Sequence, residues 1–432
     1  MAYCHLLLTG LTHVLLRTVC SITGVNAADV PIKRVTDVRT QPSSGRKSCV
    51  LLVGGRRRLK AFQSVTIRHW EDQVLIVRAP LRISLAGGGT DLPAYYENFG
   101  GLVVSTTIDK YVYVHVGPNG PDSTQITSAD YHTFYRHHYG TPMTWNGELS
   151  LPRAVLHEFE VNGDISIFLA SEVPPGTGLG SSSAIAVALV KAVSAFTQRA
   201  LSRQQVAELA CHVELEKLRA PIGKQDQFAA AFGGLNAITF SAERVIVEPV
   251  EAPVEALRCL ERRLLLFFTG TARDSAEILR EQQRASAERD TDTIDGLHRI
   301  KDVALACRKC LESGDVDGVG MLLHEGWRAK RRLATGITNR RIDELYDVAR
   351  DCGALGGKIT GAGGGGFLLL YCHELRQDGL TAAMEELGLR RMDYHFETQG
   401  VNLANVSWQR SVDSEETSEI TSPLPAMPGQ GR

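Results

Sequence analysis

The stretch that most limits what this chain can fold into runs from Ser171 to Ala184, SEVPPGTGLGSSSA. Ahead of it lies DISIFLA, a strand pattern, and behind it the apolar run AIAVALVKAVSAF reads as a helix. Strand, glycine-rich loop and helix in that order make an anion site. Gly176, Gly178 and Gly180 let backbone N–H groups approach a polyphosphate, and the helix that follows turns its positive end toward the charge. Pro175, Thr177, Leu179, Ser181, Ser182 and Ser183 complete the candidate nucleotide-binding stretch. No GK[ST] follows, so the loop is not a P-loop, and it lacks the GxGxxG spacing of a dinucleotide site. A flexible surface turn before a helix is the plainer alternative. Three glycines followed by three serines at a helix start favour the phosphate cradle.

Phosphoryl transfer also requires a metal site and a base near the acceptor. Glu214 and Asp226 are the candidate carboxylates, and the Ser182 hydroxyl stands close enough to the cradle to meet magnesium. Asp226 sits in GKQDQ between two stretches of small residues, where it reads either as the N-cap of FAAAF or as a functional carboxylate. A second glycine cluster places Gly361, Gly363 and Gly366 in a literal GxGxxG, but FLLLYC after it is a strand pattern. A loop packed against another backbone or a ligand is therefore expected there.

Composition narrows the class. At 432 residues, 43% hydrophobic and 22% charged, the chain is too long for one core and too ordinary for wholesale disorder, collagen or coiled coil. Its net charge of -2 conceals an asymmetry, because residues 1–70 carry eleven Lys/Arg against two Asp/Glu and the remainder is acidic. That balance argues against nucleic acid as a partner, and no apolar run is long enough to span a membrane. Residues 1–73 read as a basic irregular extension, with an organelle transit peptide as the alternative, and 411–432 as a disordered tail. Nine cysteines without regular spacing favour reduced thiols and a cytoplasmic setting. The Cys307–Cys310 CxxC lies within a helical pattern, so two thiols on one helix face are expected in place of a zinc site.

Along the body, VLIVRAPLRISLAG and LVVSTTIDKYVYVHV read as strands. SLPRAVLHEFEV reads as a helix with Ser150 as its N-cap, and another helix begins at Ser202. LNAITF and RRLLLFF read as strands, about 274–352 as several helices, 381–387 as a further helix and MDYHFE as a final strand. Strands and helices mix without βαβ alternation, which favours α+β over a doubly wound sheet. Weak hydrophobic signal at EPVEAPVEA sets a boundary near Glu251, giving domains at 74–251 and 252–410.

Three motifs in fixed order, RAPLRISLAGGGTDLP, PPGTGLGSSSA and KITGAGGGGF, resemble the signature motifs of the GHMP kinases, over about residues 74–405. GGGTDLPAYY, STTIDKYVYV, PIGKQDQFAAAFGG and LGGKITGAGGGGF are most similar to the heptose 7-phosphate kinases within that family. The resemblance implies a ribosomal protein S5 domain 2-like N-terminal domain, a ferredoxin-like C-terminal domain, and ATP and acceptor bound between them. It implies an ATP- and Mg2+-dependent kinase that phosphorylates the anomeric hydroxyl of a sugar phosphate. A kinase for another sugar such as L-fucose, or a sensor without activity, is the alternative. Asp226 and Arg82 fall at catalytic positions, and Ser182 and Glu214 at the magnesium ligands. Asp91, Thr90, Gly363 and Gly364 fall in the acceptor region. Galactokinases have Glu-His where this chain has Gly88-Gly89, which makes galactose an unsuitable acceptor. A phosphorylated acceptor requires a cationic pocket, for which Arg273 and Lys330 or Arg331 are candidates, RAKRR reading otherwise as a solvated helix face. The expected partner is a small-molecule sugar phosphate, and the candidate assembly is a homodimer.

Overall fold

Alternation of β-branched and aromatic residues produces two long central strands, β1 (Leu75–Ala86) and, after the short helix α1 (Pro93–Phe99), β2 (Gly101–Pro118). Val112, Val114 and Val116 are fully buried, while Tyr111, Tyr113 and His115 face the opposite side and stay partly open. In this computed structural model the described residues are 74–120, 123–138, 143–271 and 276–405, all within the compact unit Glu71–Arg432. The extension at 1–73, the expected tail at 411–432 and Arg273 lie outside the described residues.

The chain continues through β3 (Ser123–Ser128), β4 (Thr133–His138), α2 (Ser150–Glu158), β5 (Ile165–Ser171) and α3 (Ser181–Phe196). Next come α4 (Arg203–Cys211), a π-helical turn at His212–Lys217, α5 (Gln225–Phe232), β6 (Leu235–Phe240) and β7 (Val245–Pro249). The β3–β4 hairpin was not anticipated. Its inward face is Thr124, Ile126 and Ser128, so small polar residues stand where an apolar alternation was sought. Ser150 proves to be the first helical residue of α2, not its cap. Leu149 precedes it with φ of 51° and no side chain caps the turn. Ser202 does cap α4, through a reciprocal capping box with Gln205.

These strands build one sheet in the order β13, β1, β2, β5, β3, β4, with further strands joined through β2. Along β2, residues 101–106 pair with β6 and 112–118 with β5. Among the described residues β3 and β5 are the parallel pair, the other pairings being antiparallel. The helix α3 is buried on most of its circumference, which explains its nearly unbroken apolar sequence.

The second half supplies α6 (Val254–Arg263), β8 (Leu264–Phe268), α7 (Ala276–Ala287), α8 (Thr291–Ser313), α9 (Val316–Lys330) and α10 (Arg340–Asp351). It ends in β9 (Ala354–Ile359), β10 (Phe367–Cys372), α11 (Gln377–Glu386), β11 (Arg390–Met392), β12 (Phe396–Glu397) and β13 (Asn402–Asn405). A four-stranded antiparallel sheet forms in the order β11, β8, β10, β9. The single strand expected at MDYHFE is divided. Its first part joins the second sheet, while β12 and β13 return to pair with β2 and β1 of the first. Cys307 and Cys310 lie on α8 as unbridged thiols, Cys307 buried. Among the described residues no helix is long and apolar enough to cross a membrane.

Candidate active site

The glycine loop owes its shape to backbone geometry open to glycine. Gly176, Gly178 and Gly180 have φ of 75°, 84° and 78°. Gly180 caps α3 from the left-handed region, and no side chain caps that helix. The first-turn N–H groups of a 16-residue helix are thus left for an anion. Gly176, Gly178, Gly180 and the three serines line a cleft of about 220 Å³, while the side chains of Thr177 and Leu179 are fully buried. Thr177 donates to the Pro174 carbonyl, which holds the loop's start.

The second glycine cluster buttresses the first. A Cβ on Gly178 would lie 2.4 Å from the Thr360 carbonyl oxygen, and one on Gly366 2.3 Å from that of Thr177. The Phe367 N–H donates to the Thr177 carbonyl, so the loop between β9 and β10 is stitched to the loop before α3. Gly363 lines the cleft. Gly364 spends its N–H on the Ile337 carbonyl.

Arg82, on β1 and 3% exposed, organises one end of the cleft. Its Nε and Nη2 both reach Asp226 Oδ1, at 2.7 and 2.6 Å, and its Nη1 donates to the Gly178 carbonyl. Asp226 is in the first turn of α5 but does not cap it: the preceding position is Lys224, with no side-chain cap. The N-cap reading of Asp226 is therefore overturned. Since Arg82 takes Oδ1, Oδ2 has no hydrogen bond among the described residues and Asp226 lines the cleft.

Asp91 is buried beside it, accepting from the Gly89 N–H, the Gln225 N–H and the Gln225 side chain. Burial raises its carboxyl above the ordinary range, against the pull of the Gly89 N–H, and the charge of Asp226 adds to the rise. A Cβ on Gly223 would stand 1.9 Å from Asp91 Oδ2, so that glycine makes the contact possible. Thr90 does not line this cleft. It is fully buried, its hydroxyl bonding the carbonyls of Gly87 and Leu102. Lys330, at the end of α9, lines the cleft and donates to the Gly361 carbonyl. Burial lowers its ammonium to about 8, Arg82 pushing the same way and Asp91 and Asp226 opposing. Arg331 instead turns to the surface near Asp343.

At the other end, Glu214 is carried by the π-helical turn and is 3% exposed. It accepts from Ser183 at 3.2 Å and from Gln227 Nε2 at 2.6 Å, and burial raises its carboxyl to about 7. Among the described residues no Lys or Arg pairs with it, and Ser182 adds a further hydroxyl to its surroundings. No group of three or more His, Cys, Asp or Glu able to hold a metal exists among the described residues. One carboxylate with neighbouring hydroxyls suits a hard cation that takes its other ligands from phosphate and water. Residues unforeseen from sequence include Gln227, which joins Ser183 to Glu214, and Gln225, which holds Asp91. Two others are Gln282, on the cleft wall, and Lys358, which ties β9 to the Ser84 carbonyl of β1. Burial drives the Lys358 ammonium well below its usual value, with Lys330 and Arg82 adding to the effect.

A cleft with a glycine cradle, a paired Asp–Arg and a separate carboxylate has the parts that a small-molecule phosphotransferase requires. Residues 150–234 match the GHMP kinases N terminal domain and 307–388 the GHMP kinases C terminal domain. The chain thus carries both GHMP kinase domains, and GHMP kinases are ATP-dependent kinases. It is 29% identical over 338 residues to D-glycero-alpha-D-manno-heptose 7-phosphate kinase of Campylobacter jejuni, covering 77% of this chain and 98% of that one. It is 25% identical over 337 residues to mevalonate kinase of Pyrococcus abyssi, covering 72% and 92%. A crystal structure of a D-glycero-D-manno-heptose 1-phosphate kinase from Bacteriodes thetaiotaomicron superposes with a TM-score of 0.64 at 28% identity, covering 77% of this chain and 99% of that one.

Proposed function

We propose that this kinase transfers the γ-phosphoryl group of ATP to the anomeric hydroxyl of a sugar phosphate. D-glycero-D-manno-heptose 7-phosphate is the acceptor and the 1,7-bisphosphate the product. The observation that carries the chemistry is Asp226: Arg82 fixes one carboxylate oxygen and the other is free beside the glycine cradle. The choice of acceptor is supported by the likeness to the Campylobacter jejuni enzyme.

In this reading the free Oδ2 of Asp226 accepts the hydrogen bond, and then the proton, of the anomeric hydroxyl. The anomeric oxygen forms a bond to the γ-phosphorus as the bond to the β-phosphate oxygen breaks, and ADP leaves. Arg82 keeps Asp226 aimed, and through the Gly178 carbonyl it couples the base to the phosphate loop. The loop N–H groups of 176–183 hold the triphosphate. Glu214 and Ser182 would hold magnesium, for which a buried carboxylate with no Lys or Arg partner among the described residues and adjacent hydroxyls are a fitting donor set. When bound, the ion neutralises phosphate charge and orients the transferred group. Lys330, beside Arg82 and Asp226, serves the transferred phosphoryl group, which leaves Arg273 as the candidate for the acceptor's own phosphate.

The test is ADP release by the purified protein with magnesium across a panel of free sugars and sugar phosphates. Heptose 7-phosphate is expected to give the highest kcat/KM. A signal with L-fucose or another free sugar and none with the heptose phosphate would reject the acceptor assignment.

A further inference from the structure

Gln282 has no place in the chemistry just described, yet it is built into the wall of the same cleft. It lies on α7, is 2% exposed, and its Nε2 has no hydrogen-bond partner among the described residues. A buried primary amide with its donor unspent is uncommon in a folded interior, because the lost hydration is not returned. The sequence around it, AEILREQQRASA, is that of an ordinary amphipathic helix, and packing alone would be served by an apolar side chain.

Its position is specific. An ideal Cβ on Gly89 would lie 2.6 Å from Gln282 Nε2, and Gly89 has a φ of 107°. The amide therefore lies over the Gly88-Gly89 turn, in the space that a side chain at position 89 would take. The same turn directs the Gly89 N–H to Asp91 Oδ1 at 2.9 Å. Gln282, Gly89, Asp91 and Leu279 thus wall the cleft together. The serines and Glu214 belong to the cradle side.

Resting on the kinase reading above, we propose that Gln282 is a specificity-determining residue whose side-chain amide donates a hydrogen bond to a ring hydroxyl of the acceptor sugar. The glycines at 88 and 89 leave this part of the cleft wall without side chains, and α7 supplies the polar contact over them. A site that presents a buried donor discriminates strongly against an acceptor lacking the matching oxygen, because that donor then remains unpaired.

Steady-state kinetics of the full chain with ATP, magnesium and D-glycero-D-manno-heptose 7-phosphate test this, with single-deoxy analogues of the sugar as probes. Gln282→Leu is expected to raise KM for the heptose phosphate about tenfold or more while KM for ATP stays within about twofold. Its melting temperature should not fall, since it removes an unsatisfied donor and keeps the volume. One deoxy analogue should be a poorer substrate than the parent for the wild type and yet equal to the parent for Gln282→Leu. An unchanged acceptor KM, or the same deoxy penalties in both proteins, would overturn the proposal. So would a fall in melting temperature with kinetics intact, the signature of a packing residue. Gln282→Asn, shorter by one methylene, covers the case in which the leucine variant does not fold, and the same outcomes apply to it. A wild type that phosphorylates no sugar phosphate rejects the parent reading instead, and free sugars that do react then serve as the probes for Gln282.

Discussion

The two ends of the cleft differ in how their carboxylates are balanced. At the Arg82 end, Asp226 is paired with a guanidinium at 2.6 Å, and Lys330 stands close enough for Asp91 and Asp226 to affect its ammonium. At the Glu214 end, the carboxylate has only neutral donors, Ser183 and Gln227, and burial raises it to about 7. A carboxylate held by a guanidinium keeps its aim without help, as a group that must meet a neutral hydroxyl needs to. One without a counter-charge gains most from a cation that arrives with the nucleotide. The difference separates the two roles assigned here, and five changes break or sharpen it.

The largest effect belongs to the balanced end. Asp226→Asn keeps the size and removes the charge, and kcat should fall by about 10²–10⁴ with KM for ATP nearly unchanged. Steady-state kinetics checks this, and an equal loss in ATP affinity would merge the two ends into one. Glu214→Gln is expected to act differently, raising the magnesium concentration for half-maximal rate by about tenfold or more. Titration of rate against magnesium at fixed ATP is the measurement.

A smaller change is a shift in pH profile. The Lys330 ammonium moves from the usual 10.5 to about 8 on folding, so at neutral pH it is charged and above about 8 the folded protein loses that charge. The unfolded chain holds the extra proton between those values, so this group's contribution to stability is full at high pH and is lost as pH falls through that window. Activity runs the other way. kcat/KM should decline as pH rises through about 8, and Lys330→Arg should abolish that limb, as pH–rate profiles of both proteins would reveal.

The smallest effects lie in the seam that joins the two glycine loops. Gly178→Ala forces a Cβ to 2.4 Å from a carbonyl oxygen at φ of 84°, and should cost about 2–4 kcal/mol in chemical denaturation. Gly270→Ala has nearly the same φ, 82°, but meets no atom of the described residues within 4 Å, so only the strain of about 1 kcal/mol is expected.

Much of this cleft could be read before the fold was known, and the reason is local. The strand, loop and helix around 171–184 are contiguous, and glycine at every second position of the loop reports a backbone that other residues enter at a cost. Asp226 was ambiguous for the opposite reason. Its partner Arg82 is 144 residues away, so no local spacing separates a helix cap from a catalytic carboxylate, and the family likeness supplied the pairing. Thr90 stands next to Asp91 in sequence yet turns into the protein, since adjacent residues of a turn face different ways. Gln282 gave no signal at all: its amide is notable only because Gly89, from the other half of the chain, comes beneath it. The β3–β4 hairpin was hidden by Thr124 and Ser128 occupying inward positions.

The measurement that reaches the central claim most directly is phosphorus NMR of the product made from ATP and D-glycero-D-manno-heptose 7-phosphate. The expected product carries two sugar phosphates, the original one unchanged and a new one whose resonance is coupled to the anomeric proton. A new phosphate on any other carbon, or inorganic phosphate in place of a second sugar phosphate, would contradict the account.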